Sequence, residues 1–312
     1  MIPFAVPTAD YTPNPLPSDF MILIDYNGVA IASLMGTMYK EMMNPPPNFL
    51  GLARHVILNG IRAARVKGKG QREVVIACDS GTYWRRQYFE HYKGSRTTQR
   101  KKGPIQWGAV YEALDKVRGE IHEFFPYRVL RVDGCEADDI IAVLAKYEKP
   151  ETVSTGLFEK EGTHLVVSKD NDFEQLLKHS WVELYNPAKA AKVTATTQQV
   201  METLKLKLLE GESSDGIPNV LSDGDTLVTE GKRQKPLRAD AKEALLKEIP
   251  EALKDNYERN SLMIDFDRIP EEVVDAIRTA YHAAPLAGSK SKMFRYLTQQ
   301  KLVQLLERIH EF

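Results

Sequence analysis

Short apolar runs, each followed closely by acids or turn residues, punctuate the chain from Phe20 onward. Phe20 to Ile24, Val74 to Cys78, Tyr127 to Val132, Leu165 to Val167 and Val182 to Tyr185 are too short for buried helices and read as strands. Between them the period changes. Leu50 to Arg65 is helical after the Pro45-Pro46-Pro47 break, and Trp107 to Phe125 carries Val110, Leu114, Val117 and Ile121 on one stripe. Asp138 to Tyr147 begins another helix. Strands alternating with helices predict an α/β fold: a central, mostly parallel sheet flanked by helices. The handedness of such crossovers puts the strand ends on one edge.

The pattern changes after about Thr197. Val200 to Leu209, Ala239 to Glu248, Tyr257 to Ile264, Glu271 to His282 and Ser291 to Glu311 have helical spacing, with a turn-rich segment at Gly211 to Asp225. No long linker intervenes, so the second half is expected as an intimate helical extension. The expected division is a Pro-rich arm over 1–18, an α/β core over 19–196 with a basic arch at about 83–106, and a helical region over 197–312. The arm holds five prolines and little periodicity.

A chain of 312 residues that is 43% hydrophobic can bury one large core or two modest ones. Its net charge of −1 conceals a separation of signs. Arg85, Arg86, Lys93, Arg96, Arg100, Lys101 and Lys102 crowd one segment against a single acid, Glu90. Lys232, Arg233, Lys235 and Arg238 form a second basic cluster, and Arg62 to Arg72 a third. Basic flanks around an acidic centre suit a polyanion held for attack by metal ions. The two cysteines, Cys78 and Cys135, imply no disulfide framework, and Cys78 reads as packing. With no membrane-length apolar run and no signal-peptide core, a soluble cytoplasmic protein is expected.

The acids give the centre its chemistry. Asp25 and Asp79 end strands, Asp170 and Asp172 flank Asn171 after a third, and Glu136-Ala137-Asp138-Asp139 and Glu212-Ser213-Ser214-Asp215 open later segments. Strand ends of a parallel sheet share a crevice, and so many carboxylates there require cations. Mg²⁺ takes hard oxygen ligands and bridges carboxylates to phosphates. A pair of such ions about 4 Å apart serves phosphodiester hydrolysis. Each helical residue advances about 100°, so Glu136 and Asp138 can face one metal only if Glu136 precedes the regular helix. Acids in a first turn also serve the helix dipole.

Tyr83-Trp84-Arg85-Arg86 and Tyr92-Lys93-Gly94-Ser95-Arg96 interleave aromatics with bases, a pattern that clamps phosphate and stacks on nucleobases. Lys93 and Arg96 would share a helical face and stabilise charge on a scissile phosphate. Arg100, Lys101 and Lys102 would touch backbone phosphates or form a solvated loop. In the turn around Gly216, backbone N–H groups can hold a duplex phosphate, with Lys232 and Arg233 following.

Together these motifs resemble the structure-specific 5′-nuclease, or flap endonuclease, family. The likeness runs in order from about residue 20 to the end. Ile264-Asp265-Phe266-Asp267, Ile269-Pro270 and the terminal Glu311-Phe312 look like the phage branch, whose members would act in the host cytoplasm. The resemblance implies Asp25, Asp79, Glu136 and Asp138 at a first Mg²⁺ and Asp138, Asp170, Asp172 and Asp215 at a second. Asp139 and Glu212 would support them through water, and Mn²⁺ would substitute. Lys93 and Arg96 would act from a helical arch or flexible loop over the active site, and a helix–three-turn–helix element would grip duplex. The turn reads Gly216-Ile217-Pro218-Asn219 where the family has Asn-Ile-Pro-Gly, so no monovalent-ion site is assigned there.

The expected activity is 5′→3′ exonuclease and flap endonuclease cleavage of RNA·DNA hybrids and duplex DNA in replication, including primer removal. A single-strand DNA-binding protein is an implied partner, and a monomer is expected. A compact metal-dependent endoribonuclease of similar fold and a non-catalytic nucleic-acid binder are the alternatives.

Overall fold

The computed structural model describes residues 20–68, 73–94, 100, 103–150, 152–154 and 159–312. The Pro-rich arm, Arg96, Lys101 and Lys102, along with the rest of 95–102 except Arg100, lie outside the described residues.

β1 (Met21–Asp25) is buried along its whole length, which is why its sequence is a continuous apolar run and not an alternating one. Met21 and Leu23 enter one core while Ile22 and Ile24 enter the other. β1 pairs in parallel with β2 (Glu73–Cys78) and with β6 (His164–Val167). β3 (Arg128–Arg131) and β7 (Val182–Asn186) extend the parallel sheet outward, and β8 (Ala191–Val193) adds an antiparallel edge. The order is β3-β2-β1-β6-β7-β8. A separate antiparallel ribbon joins β4 (Thr152–Ser154) to β5 (Glu159–Glu161). The chain moves from β1 to one side through β2 and β3, then returns to β1's other side as β6. That reversal is a topological switch point, and it opens a crevice beyond the carboxyl ends of β1 and β6.

One face of the sheet is covered by α1 (Tyr26–Thr37), α3 (Phe49–Lys67) and α5 (Trp107–Phe124), with α2 (Tyr39–Met43) between the first two. α11 (Lys290–Gln299) and α12 (Val303–Leu306) pack on the same core through Met293, Tyr296, Leu297 and Leu305. The other face carries α6 (Ala137–Tyr147), the 3₁₀ helix Asn171–Lys178 and α10 (Glu271–Ala283). A third cluster joins the short α4 (Arg85–Tyr88) region, α7 (Thr197–Glu210) and α9 (Lys254–Ile264) through Phe89, Tyr92, Leu204, Leu208, Ile217 and Met263. α8 (Ala239–Lys247) packs behind it through Leu245 against Leu209 and Val220. The C-terminal helices are thus built into the sheet's two cores.

Of the elements that differ from the sequence pattern, two have a clear local cause. α1 had no periodic signature, because it follows β1 directly and its residues Val29, Ala30 and Leu34 are apolar and buried. The helix expected over Ser291 to Glu311 is broken. Lys301 adopts φ +55°, and Leu302 N–H donates to Leu297 O (2.9 Å) in a Schellman-like stop that buries Leu302.

Glu120 on α5 ties the C-terminal helices to the core. Its carboxylate takes a bidentate pair from Arg54 (2.8 Å and 2.8 Å) and a hydrogen bond from Tyr296 Oη (2.7 Å), all largely out of water. Removing one member of such a pair leaves the other charge buried and uncompensated. Glu120→Ala is expected to cost about 3 kcal/mol, read as a lower urea midpoint with unchanged slope. A loss below about 1 kcal/mol would contradict this role.

Candidate active site

The crevice at the switch point is a cleft of about 830 Å³, and nine carboxylates line it: Asp115 of α5 and the eight that come from the five acidic segments, Asp25, Asp79, Glu136, Asp138, Asp170, Asp172, Glu212 and Asp215. Each arrives by a local structural rule. Asp25 ends β1 and caps α1, accepting from Gly28 N–H (2.8 Å). Gly28 is required there, since a Cβ would sit 2.0 Å from Asp25 Oδ2. Asp79 follows β2 and accepts from Ala137 N–H (2.9 Å) and Asn27 Nδ2 (2.7 Å). Asp170 caps the 3₁₀ helix by accepting from Asp172 N–H (2.9 Å). Glu136 is the extended residue before α6 (φ −95°, ψ 162°), and Asp138 lies in that helix's first turn. The extended conformation lets both line one cleft, as the 100° advance of a helix demands.

Like charges and burial set the electrostatics. Burial raises Asp25 to about 7, opposed by the Gly28 hydrogen bond and reinforced by Asp79 and Asp170. Burial, then Asp25, raises Asp138 well above the ordinary carboxylate range, with Lys93 working against the shift. Asp172 is raised by burial and drawn back by Lys207. Burial also acts on Glu212, but hydrogen bonds from Ser214 and Lys207 outweigh it and leave its carboxyl below the usual range. Asp25, Asp138 and Asp172 therefore resist ionising together, which is the condition a divalent cation relieves.

Two lysines reach between the carboxylates. Lys93 Nζ is ion-paired to Glu136 and lies 3.5 Å from Asp215 Oδ2. Lys207 Nζ is ion-paired to Asp172 and lies 3.0 Å from Glu212 Oε2. With these ammonium groups in place, no three acids among the described residues stand at metal-ligand spacing. The donor set is nonetheless all hard oxygen, as Mg²⁺ requires.

The remaining predicted residues separate by location. Asp139 does not line the cleft: fully buried, it accepts from Glu136 N–H (2.9 Å) and Trp84 Nε1 (3.1 Å) and pairs with Arg85 (2.8 Å). Arg85 is not placed to meet nucleic acid. It is buried and holds Glu136 (3.1 Å), Asp139 and the Met263 carbonyl (2.9 Å). Tyr92 is also buried, its Oη donating to Glu136 Oε2 (2.7 Å) and Asp215 Oδ2 (3.3 Å). Tyr83 lines the cleft, while exposed Arg86 bonds the Tyr92 carbonyl (3.0 Å) and lies over the Tyr83 ring. Lys93 sits in a turn with φ +54°, not on a helix. Arg100 stands at the cleft rim over the stacked rings of Trp107 and Tyr111.

The turn at Gly216 holds no free phosphate cradle. Gly216 N–H donates to Ser213 O (3.2 Å), Asp215 N–H to Glu212 O (3.0 Å) and Ile217 N–H to Glu212 O (3.0 Å). Gly216 instead permits φ +78° and a close approach to His91 O, which a Cβ would meet at 2.8 Å. That approach lets Lys93 N–H donate to Asp215 O (2.6 Å), docking the turn on the Tyr92 segment. Exposed Lys232 pairs with Asp225 (2.7 Å), and Lys232 and exposed Arg233 lie outside the cleft lining. Sequence reasoning missed Lys207 and Asn27, whose partners lie 35 and 52 positions away and leave no local signal.

Comparison with known proteins agrees with this geometry. The N-terminal resolvase-like domain of 5′–3′ exonucleases matches residues 21–205, and the C-terminal domain of T4 RNase H matches residues 199–312. The ribonuclease H of Enterobacteria phage T4 is 30% identical over 305 residues, spanning 93% of this chain and 95% of that protein. DNA polymerase I of Deinococcus radiodurans is 27% identical over 228 residues, 70% of this chain and 21% of the polymerase. The T5 D15 protein, crystallised with metal ions, shares the fold at TM-score 0.54 and 14% identity, covering 83% of this chain and 97% of that one. The T5 5′-exonuclease with zinc bound aligns with TM-score 0.53, 14% identity and the same coverage. This chain belongs to the 5′–3′ exonuclease family, with the C-terminal domain of its ribonuclease H members, and is a nuclease.

Proposed function

We propose that this protein is a Mg²⁺-dependent 5′→3′ exonuclease and flap endonuclease. Its substrates would be RNA·DNA hybrids and branched duplex DNA during replication, including the primers of new strands. The observation that carries this reading is the convergence of eight carboxylates from five chain segments on one cleft. The ribonuclease H of phage T4 supports the RNA·DNA substrate, and the T5 5′-exonuclease with zinc bound supports the need for divalent ions.

Asp25, Asp79, Glu136 and Asp138 would hold one ion, and Asp138, Asp170, Asp172 and Asp215 the other, with Glu212 supporting from the turn. Bound divalent ions supply an activated water and neutralise the charge of the phosphoryl oxygens. The chain's own groups orient that chemistry. Tyr92 and Arg85 fix the Glu136 carboxylate, and Arg85 is itself held by Asp139. Lys93 brings a positive charge to the cleft wall, where it can meet the non-bridging oxygens of the scissile phosphate. Arg100, stacked on Trp107 and Tyr111, gives the rim a cationic and aromatic surface suited to an unpaired strand.

Asp138 is the one carboxylate assigned to both ions. Asp138→Asn is expected to lower the turnover of a 5′-flap substrate by about a thousandfold, the equivalent of about 4 kcal/mol of barrier, while duplex binding stays within a few-fold. Retained Mg²⁺-dependent turnover would refute the assignment. Tyr92→Phe removes only the hydroxyl that orients two carboxylates, and metal affinity or activity should fall roughly tenfold to a hundredfold. Unaltered kinetics in Tyr92→Phe would show that Glu136 does not depend on that contact.

A further inference from the structure

Lys207 links the two halves of the acidic cleft from the second half's own helix. It lies on α7, whose face is fixed by Leu204 and Leu208 in the cluster with Phe89, Tyr92, Ile217 and Met263. Its ammonium bridges Asp172, at the end of the sheet, and Glu212, in the turn that α7 leads into. Lys93 makes the parallel bridge from Glu136 to Asp215. Each acid of the turn is therefore joined to an acid of the α/β core by one lysine. The other end of the cleft is held differently, with Asp79 fixed by the neutral amide of Asn27 and the backbone N–H of Ala137.

From this geometry we propose that Lys207 is a positioning residue, a built-in counter-cation of the Asp172–Glu212 end of the cleft. It docks the turn on the core before a divalent ion binds and competes with that ion for Asp172. The inference rests on the two-ion reading given above. An ammonium and a dication compete for the oxygens of one carboxylate pair, and their mutual repulsion makes each a cost to the other. Ion binding at this end is therefore opposed by the hold of Lys207 on Asp172, and an ammonium displaced from Asp172 becomes available to a phosphate oxygen. Lys207 thus tunes the affinity of one ion without touching the other.

Titration calorimetry of the full-length protein with Mg²⁺, and its melting in chelator, test this. Wild type is expected to bind two ions of unequal affinity. Lys207→Met, which keeps the stem and removes the charge, should bind the weaker ion about tenfold more tightly and melt lower in chelator. Lys207→Arg, whose planar fork holds a carboxylate with two hydrogen bonds, should bind it more weakly. If Lys207→Met does not fold, Lys207→Arg alone decides. Unchanged or weaker affinity in Lys207→Met, or unchanged or tighter affinity in Lys207→Arg, overturns the proposal and leaves the two-ion reading standing. Wild type that binds no Mg²⁺ overturns both.

Discussion

Mutual repulsion among carboxylates packed into one cleft is the constraint around which the rest of the molecule is arranged. Asp25 and Asp138 are buried beside further acids, and burial, reinforced by those acids, lifts both above their ordinary range. A fold that places eight such groups together must supply positive charge, fixed dipoles or both. The protein supplies them in layers. Backbone N–H groups of Gly28 and Ala137 hold Asp25 and Asp79, Arg85 and Tyr92 hold Glu136, and Lys93 and Lys207 bridge the acids of the turn to those of the sheet. The cleft is thereby kept open and ordered, with its acids aimed inward and their charge only partly cancelled.

The architecture makes that placement stable. Parallel strands set their carboxyl ends side by side, and the switch between β1 and β6 keeps any crossover from covering them. The helical region completes the site, since Glu212, Asp215 and Lys207 come from it and Met263 of α9 anchors Arg85. Its apolar faces are buried in both sheet cores.

Much of this was legible in the sequence because the signals were local. Five strands were readable as short apolar runs, and the requirement that Glu136 stand before its helix followed from helical geometry and holds in the structure. What escaped was decided at long range or by the partner of a charge. Arg85 and Tyr92 look like nucleic-acid contacts beside a basic run, yet both turn inward to Glu136. Asp139 looks like a ligand beside Asp138, but one step along the helix points it into the core. The Gly216 turn looked like a phosphate cradle, and its amides are engaged by its own carbonyls. α1 lacked any polar face to mark it, and the stop at Lys301 has no glycine or proline to announce it.

Cutting of nucleic acid from a 5′ end at this cleft, with the help of Mg²⁺, is the proposal on which the rest turns. Cleavage of end-labelled 5′-flap, nicked-duplex, RNA·DNA and single-stranded RNA substrates, with Mg²⁺ and with chelator, addresses it most directly. Short products released from the 5′ side of the flap, nicked and hybrid substrates, ending in a 5′ phosphate, are expected only when Mg²⁺ is present. Cleavage that survives chelation, or that consumes single-stranded RNA while sparing the flap and the hybrid, would contradict it.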